Sequence, residues 1–443
     1  MPINYGSTRV NDVFYGNKRV LQIYHGSNLV YNAEIGLPKG YVELEYIEST
    51  GTQYINTGIY LKGDNWRFKV EYESTNSINN KCLTGIQNGN PLFVLYNGSL
   101  YCQPTSTSPS KRVTTDIWTI GHHIIDIKTN GGYVESKLDS TITAYELGTT
   151  TSFNDELFNV YPVCVLAYWY TNDMCPDERK LAAKLYNYRI YNNDKTVCNL
   201  VPAMRCSDGT VGMYDLHRRK FLTNAGKGDF IAGNFVLPKG YDELEYIEST
   251  GTQYIDTLYK PNNNTKFYIN YNVTGAAGSS VANVPYGVTN ISPNVDKAGN
   301  GLFRTISGSS SFNRVAWGDE TIGSNSNNSL SSHAIVYGQW VSDYYDQNEI
   351  YIDNDLVYTS TTNPLTVWNS TNNLYIFARN NQGHVDFNSA MRLKLAYATE
   401  NNLYKMYLKP ARKISDGTVG MYDLINNKFL TNAGSDDFII PTN

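Results

Sequence analysis

LPKGYVELEYIESTGTQYINT, residues 37–57, returns almost unchanged as LPKGYDELEYIESTGTQYIDT at residues 237–257. Further along, SDGTVGMYDL at 207–216 recurs at 415–424, and KFLTNAG at 220–226 recurs at 428–434. The first match is displaced by 200 residues and the later ones by 208. A period of this size means tandem domains and not a solenoid of short units. The chain of 443 residues therefore divides into 1–36, 37–235 and 236–443. Between the shared ends the two copies diverge almost completely, a fixed frame around a variable interior.

Inside each copy the signals are those of strands. Trp66 to Glu73 alternates apolar and charged residues, the pattern of a half-buried strand. Its counterpart sets Phe267, Ile269, Tyr271 and Val273 on one face. Turn chemistry marks hairpins at Asn130-Gly131-Gly132, Asn192-Asn193-Asp194, Asp353-Asn354-Asp355 and Asn426-Asn427. Only Pro176–Lys184 reads as a helix, with Pro in a first-turn position. The fold class expected is all-β: two tandem antiparallel β-sandwiches of jelly-roll type after a short β-repeat arm.

That arm, residues 1–36, places Gly6, Gly16, Gly26 and Gly36 ten residues apart, with Val10, Val20 and Val30 in step. Each unit supplies a short strand followed by an aromatic-Gly turn. So small a sheet buries too little to stand alone. The arm is expected to attach or oligomerise through Val10, Val13, Tyr15, Val20, Ile23, Tyr24, Val30 and Tyr31.

Composition removes several classes. Charged residues are 17% and aromatics 13%, with 37 tyrosines, which excludes a disordered chain or a coiled coil. A net charge of −5 leaves no electrostatic footprint for nucleic acid. No apolar run reaches the roughly 18 residues of a membrane span. The opening residues carry no basic and apolar leader, so no signal peptide is expected. All six cysteines precede residue 210, none in a C-x-x-C, and the second copy has none. Free thiols and assembly in a reducing compartment follow.

The repeated motifs resemble those of concanavalin A-like, laminin-G-like lectin/glucanase-fold domains of bacteriophage and prophage virion proteins. The steps in the arm, such as IYHGSNLVY at 23–31, resemble phage N-terminal attachment segments. The resemblance implies a virion protein, assembled in the host cytoplasm: a head or tail fibre or adhesin. It implies homo-oligomers, a trimer by analogy with fibres, and docking of the arm on other virion proteins. The alternatives are a capsid-decoration or tail module without sugar binding, and a glycan-cleaving enzyme.

Catalytic templates are missing. Glycosidases of this fold use paired carboxylates on one strand face, and no Glu-x-Asp-x-x-Glu string occurs. Asp343 and Asp346 fall on opposite faces of an alternating strand, so that stretch reads as a polar loop or edge strand. Glu45 and Glu48, shared as Glu245 and Glu248, belong to the frame. His122 and His123 point opposite ways and cannot jointly chelate. The chain is accordingly expected not to be an enzyme and to need no cofactor. Calcium has weak candidates in Asp139, Asp353 and Asp355, residues that also form turns unaided. Cell-surface glycan is the expected ligand, because Tyr and Trp offer flat apolar faces with polar rims. The candidates are Tyr168, Trp169, Tyr170, Trp317 and Trp340, with Trp368 behind them.

Overall fold

The computed structural model describes residues 36–441 apart from 75–77, 88–91, 104–110, 115–118, 131, 147–159, 171–172, 175, 276–282, 290–300, 307–313, 319, 324–336, 347–348, 360–368 and 387. For some strand residues bordering these gaps, and for the strands within 1–35, it describes the backbone alone. The chain forms two compact units, with Val236 closing one and Leu237 opening the main run of the other. Among the described residues the secondary structure is β throughout, save one 3-10 turn at Asp177–Arg179.

In the first unit a large sheet runs in the order Thr141–Glu146, Tyr133–Leu138, Gly121–Asn130, Trp66–Ser74, Ala182–Asn192, Lys195–Arg205, Val211–Asp215 and Lys220–Thr223. A second sheet holds Lys111–Thr114, Ser99–Gln103, Leu92–Tyr96, Cys82–Gln87, Cys164–Val165 and Ile55–Asn56. The two close on a shared core: Phe68 of one sheet stacks on Phe93 of the other at 4.6 Å. Thr84 and Tyr188 join hydroxyls across the same interior at 2.8 Å. Strict alternation along Trp66–Ser74 makes this possible, since every second residue is buried.

The second unit repeats the plan. Its large sheet runs Asp355–Thr359, Glu349–Ile352, Trp340–Asp346, Thr265–Val273, Ala390–Glu400, Leu403–Lys413, Val419–Asp423 and Lys428–Thr431. Opposite lie Ile255–Asp256, Tyr375–Ile376, Tyr286–Thr289, Arg379–Asn381 and His384–Asp386, with a three-stranded piece at Gly301–Thr305, Arg314–Gly318 and Glu320–Gly323. Phe267 meets Tyr286 across the core at 5.1 Å. Both units are antiparallel sandwiches, each with a short parallel exception: Ile86–Gln87 beside Trp169–Tyr170, and Gly287–Thr289 beside Arg379–Asn381. The exception has a local cause. The chain reverses at Leu166 and Phe377, both fully buried and held at φ of 66° and 70°. A bulky side chain in this region is strained. Hydrogen bonds hold it there: Leu166 donates to the Leu83 carbonyl at 2.6 Å, and Phe377 to Pro285 at 2.7 Å.

The repeated motifs turn out to touch one another. Gln53 accepts the Thr50 amide at 2.9 Å and donates to the Asp229 carbonyl at 3.0 Å. Tyr54 donates its amide to Asn224 Oδ1, and Gly226 lies so close to the Thr52 carbonyl that a Cβ would sit 2.0 Å from its oxygen. The second unit repeats each contact through Gln253, Asp437, Tyr254, Asn432 and Gly434. The shared sequence therefore marks where each sandwich fastens its beginning to its end.

Two expectations fail here. Pro176–Lys184 is not a helix: only Asp177–Arg179 turns, and Ala182–Asn192 is a central strand. Good helix formers supplied that reading, but Leu181, Ala183 and Leu185 are buried in alternation, and tertiary burial overrides propensity. Nor is the stretch at Asp343 a polar loop or edge. Trp340–Asp346 is an interior strand between two neighbours, and Asp343 is 1% exposed. In the arm, short strands pair antiparallel in three couples: Asn4–Tyr5 with Thr8–Arg9, Val13–Tyr15 with Lys18–Val20, and Gln22–His25 with Asn28–Asn32. The side chains proposed for attachment, and Val10 altogether, lie outside the described residues.

Candidate functional site

A row of tyrosines crosses the outer face of the large sheet in the second sandwich. The same alternation that buries Phe267, Ile269 and Tyr271 turns Tyr268 outward. Register then aligns Tyr351 with Tyr344, Tyr344 with Tyr268, Tyr268 with Tyr397, and Tyr397 with Tyr407. Five adjacent strands spaced about 4.8 Å apart make the row about 19 Å long. All five rings are half-buried. Tyr268 and Tyr397 stack at 4.9 Å and 15°, and Tyr397 and Tyr407 at 5.7 Å and 7°. Tyr404 closes edge-on against Tyr397 at 5.6 Å. Since the Tyr268, Tyr397 and Tyr407 rings face each other, they present ring edges and hydroxyls outward. Tyr344 and Tyr351 are instead tilted by 38° and donate their hydroxyls to Asp346 and Glu349. Burial raises the Tyr397 and Tyr407 phenols to about 12. They stay neutral at physiological pH and can both donate and accept.

Further along the same strand, Trp340 projects outward, half-buried. The Lys394 ammonium lies 4.2 Å from its ring centroid, and the Tyr246 ring is at 6.0 Å. Arg392 lies 4.9 Å over Tyr246 and pairs with Glu248 at 2.8 Å. This brings an aromatic surface bearing cations beside the neutral tyrosine row.

The first sandwich has four of the same five row positions filled by charge. Lys69 is aligned with Asp126 and Arg189, Asp126 with Lys137, and Arg189 with Asn199. Arg67 forks onto Asp126 at 2.8 and 2.6 Å. Elsewhere this sandwich has a groove of about 360 Å³ lined by Asn56, Thr57, Gly58, exposed Tyr60, Pro162 and the Lys220–Thr223 strand. Its corresponding place in the second sandwich has Leu258 at φ 60° for Gly58 at φ 66°, and Asn373 bonded to Asp256 at 2.9 Å.

Of the residues singled out from sequence, Trp340 belongs to this outer face. Tyr168 does not: it is a core residue whose hydroxyl accepts from Arg179 at 2.8 Å. Trp169 is half-buried against Tyr161 at 5.2 Å, with its indole nitrogen buried. The side chains of Tyr170 and Trp317, and all of Trp368, lie outside the described residues. Two of the calcium candidates bond across to a neighbouring strand. Asp139 Oδ1 accepts the Ile124 amide at 2.9 Å and Oδ2 meets His123 at 2.9 Å. Asp353 Oδ1 accepts the Ser342 amide at 2.8 Å, and Asp355 is exposed on the strand that follows. No group of three metal-ligating side chains occurs among the described residues. The described cysteines are free thiols, all buried but Cys206. Burial raises the Cys102 thiol to about 12, an inert setting.

The tyrosine row itself was not found from sequence. The alternation that would point Tyr268, Tyr344, Tyr351 and Tyr397 outward is readable strand by strand. Their alignment depends on register between segments up to some 140 residues apart, which no local pattern carries.

No family model matches the chain, and no curated protein matches it. Solved structures do. The mouse laminin α1 chain, domains LG4-5, matches at 9% identity and TM-score 0.26, over 85% of this chain and 94% of that one. A leech intramolecular trans-sialidase matches at 8% identity and TM-score 0.23, over 90% and 74%. Both scores are too low to argue from, and the fold rests on the sheet topology. The expectation that the chain is not an enzyme is nevertheless withdrawn. An enzyme stands among its structural matches, and so distant a match decides enzyme status neither way.

Proposed function

We propose that the chain is a glycan-binding protein whose second sandwich carries the binding face along its tyrosine row and Trp340. One observation supports this above the rest. The first sandwich shows that the fold accepts Lys, Asp and Arg at these outward positions, so five aligned tyrosines are not required by the frame. Outward hydroxyls of neutral phenols suit a sugar's hydroxyls, because each can both donate and accept. In the setting we propose, the chain is a bacteriophage virion protein. The arm docks on other virion proteins or joins copies as a trimer, and the sandwiches display their faces toward cell-surface glycan. This rests on the motif resemblance. Multiple copies then raise avidity by about 10²–10⁴ without new contacts where geometry allows.

The test is a glycan array probed with the full chain and with Tyr268→Lys/Tyr397→Arg, which installs the residues of the first sandwich. Retention of specific glycans by the parent, lost at least tenfold in the variant with folding intact, is the expected result. Equal binding by both would remove the row from the function. For the setting, mass spectrometry and antibody labelling of purified particles are expected to find the chain at a defined projection; its absence there ends the virion reading.

A further inference from the structure

Inside the second sandwich, between its sheets, five polar side chains converge where the first sandwich is largely apolar. Tyr271 comes from Thr265–Val273, Asp343 and Tyr345 from Trp340–Asp346, Tyr286 from Tyr286–Thr289, and Arg304 from Gly301–Thr305. None is more than 1% exposed, and Arg304 has no exposure at all. Asp343 Oδ2 accepts from the Tyr271 hydroxyl at 2.9 Å and from Tyr286 at 2.8 Å, and the Tyr286 and Tyr345 hydroxyls are 2.6 Å apart. The other side of the cluster is unclaimed. Among the described residues, Asp343 Oδ1 meets no hydrogen-bond partner, and neither do Nε, Nη1 and Nη2 of Arg304. A guanidinium stays charged in any protein and directs five N–H donors in a fixed fork. Such a group is not kept in an apolar interior without acceptors.

We infer that ordered water molecules enclosed between the two sheets bridge the Arg304 guanidinium to Asp343 Oδ1, forming a solvated charge pair in the core. The chemistry of the two unclaimed sides selects the ligand. An occupant must accept from Arg304 and donate to Asp343. Water does both, typically with about three hydrogen bonds when buried. A halide cannot donate to the carboxylate, and a metal cation cannot accept from the guanidinium. Asp343 already balances the charge of Arg304, so the site calls for a neutral guest. The bridge also has a structural role, which is to seat the Gly301–Thr305 strand, the first of the three-stranded piece, against the frame strands Thr265–Val273 and Trp340–Asp346.

A crystal structure of the full chain, from crystals grown with and without bromide, decides the point. Water peaks about 2.7–3.2 Å from both Arg304 nitrogens and Asp343 Oδ1 are expected. An anomalous bromide peak on the guanidinium, or a direct Arg304–Asp343 ion pair with no solvent between, would overturn the inference. Two variants probe the seating of the strand. Arg304→Met leaves the carboxylate and its waters without their cation, and its melting temperature is expected to fall by about 10 °C. Arg304→Met/Asp343→Leu is expected to recover at least half of that loss. Amides 301–305 of Arg304→Met should exchange at least tenfold faster while those of 419–423 are unchanged. Unchanged exchange at 301–305 would show that the cluster does not seat the strand.

Discussion

The two sandwiches share a frame and differ in polarity at matched places in core and surface. Val70 and Ile269 hold the same place, yet their aligned neighbours are Ile125 in one and Asp343 in the other, both buried. On the outside, Lys69 faces Asp126 and Arg189 where Tyr268 faces Tyr344 and Tyr397. Even a shared buried residue is treated differently. Asp215 closes its hairpin with Arg218 bonded to it, and Arg218 also reaches the Thr57 carbonyl at 2.6 Å. Asp423 closes the equivalent hairpin with Asn426, which donates to it at 2.7 Å and to the Lys405 carbonyl at 2.8 Å. The lesson is that the fastened ends and the inward alternation specify the fold, while the polarity of core and surface is set separately in each copy.

Exchanging interiors should break this comparison most severely. Ile125→Asp puts an unpaired carboxylate into the first core and is expected to cost about 4 kcal/mol or more, unfolding that sandwich alone. Urea unfolding followed by hydrogen exchange, which separates the two units, checks it; a mild loss would mean the first core also admits solvent. Next in size is Arg218→Ala, expected to destabilise the first sandwich by about 3 kcal/mol because Asp215 stays buried without its cation. Asn426→Ala removes one side-chain hydrogen bond to the Asp423 carboxylate and one to the Lys405 carbonyl, but the backbone amide at 426 still serves Asp423, and the second sandwich should lose only about 1.5 kcal/mol. Equal losses would deny that the two hairpins differ.

Acid should separate the same pair with opposite signs. Burial works to raise the Asp215 carboxyl, but Arg218 and backbone amides outweigh it and hold the group below the ordinary value of 3.8. Its contribution is therefore present above that value and lost as pH falls through the lower folded pKa. Burial keeps Asp423 above 3.8. That group stabilises the fold more once protonated, so its effect grows as pH falls through the raised folded pKa. Carboxyl carbon shifts of Asp215 and Asp423 followed from pH 7 to pH 2 should show Asp423 titrating first. The reverse order would refute the assignment. The smallest effect on stability belongs to the row. Tyr268→Lys, tested by thermal melting, should cost the second sandwich about 0.5–1 kcal/mol, because the outward position loses little beyond the stacking on Tyr397.

Much of the frame was legible. Alternation in Trp66–Glu73 and the turn residues at Asn130, Asn192, Asp353 and Asn426 led directly to strands and hairpins that the structure contains. The site was less so. Among the candidate aromatics with described side chains, Trp340 reaches the outer face while Tyr168 is core, since an isolated aromatic carries no mark of which side it serves. Asp343 was misjudged because a carboxylate suggests solvent, and its tyrosine partners Tyr271 and Tyr286 are 72 and 57 residues away. Leu181–Leu185 misled through composition, which outlined a helix where the neighbouring strands imposed a sheet.

The contact between the ESTGTQY and TNAG motifs has a consequence for the chain as inherited material. Gln53 with Asn224, and Gln253 with Asn432, fasten each sandwich at its own two extremities. A segment closed in this way behaves as a cassette. Its beginning and end are the parts least able to drift, because Gly226 and Gly434 have no room for a methyl group against the Thr52 and Thr252 carbonyls. Between two such immovable clasps, recombination can replace the whole middle in one event. A pair of copies with nearly identical ends and unrelated centres fits such a division between fixed clasp and exchangeable middle.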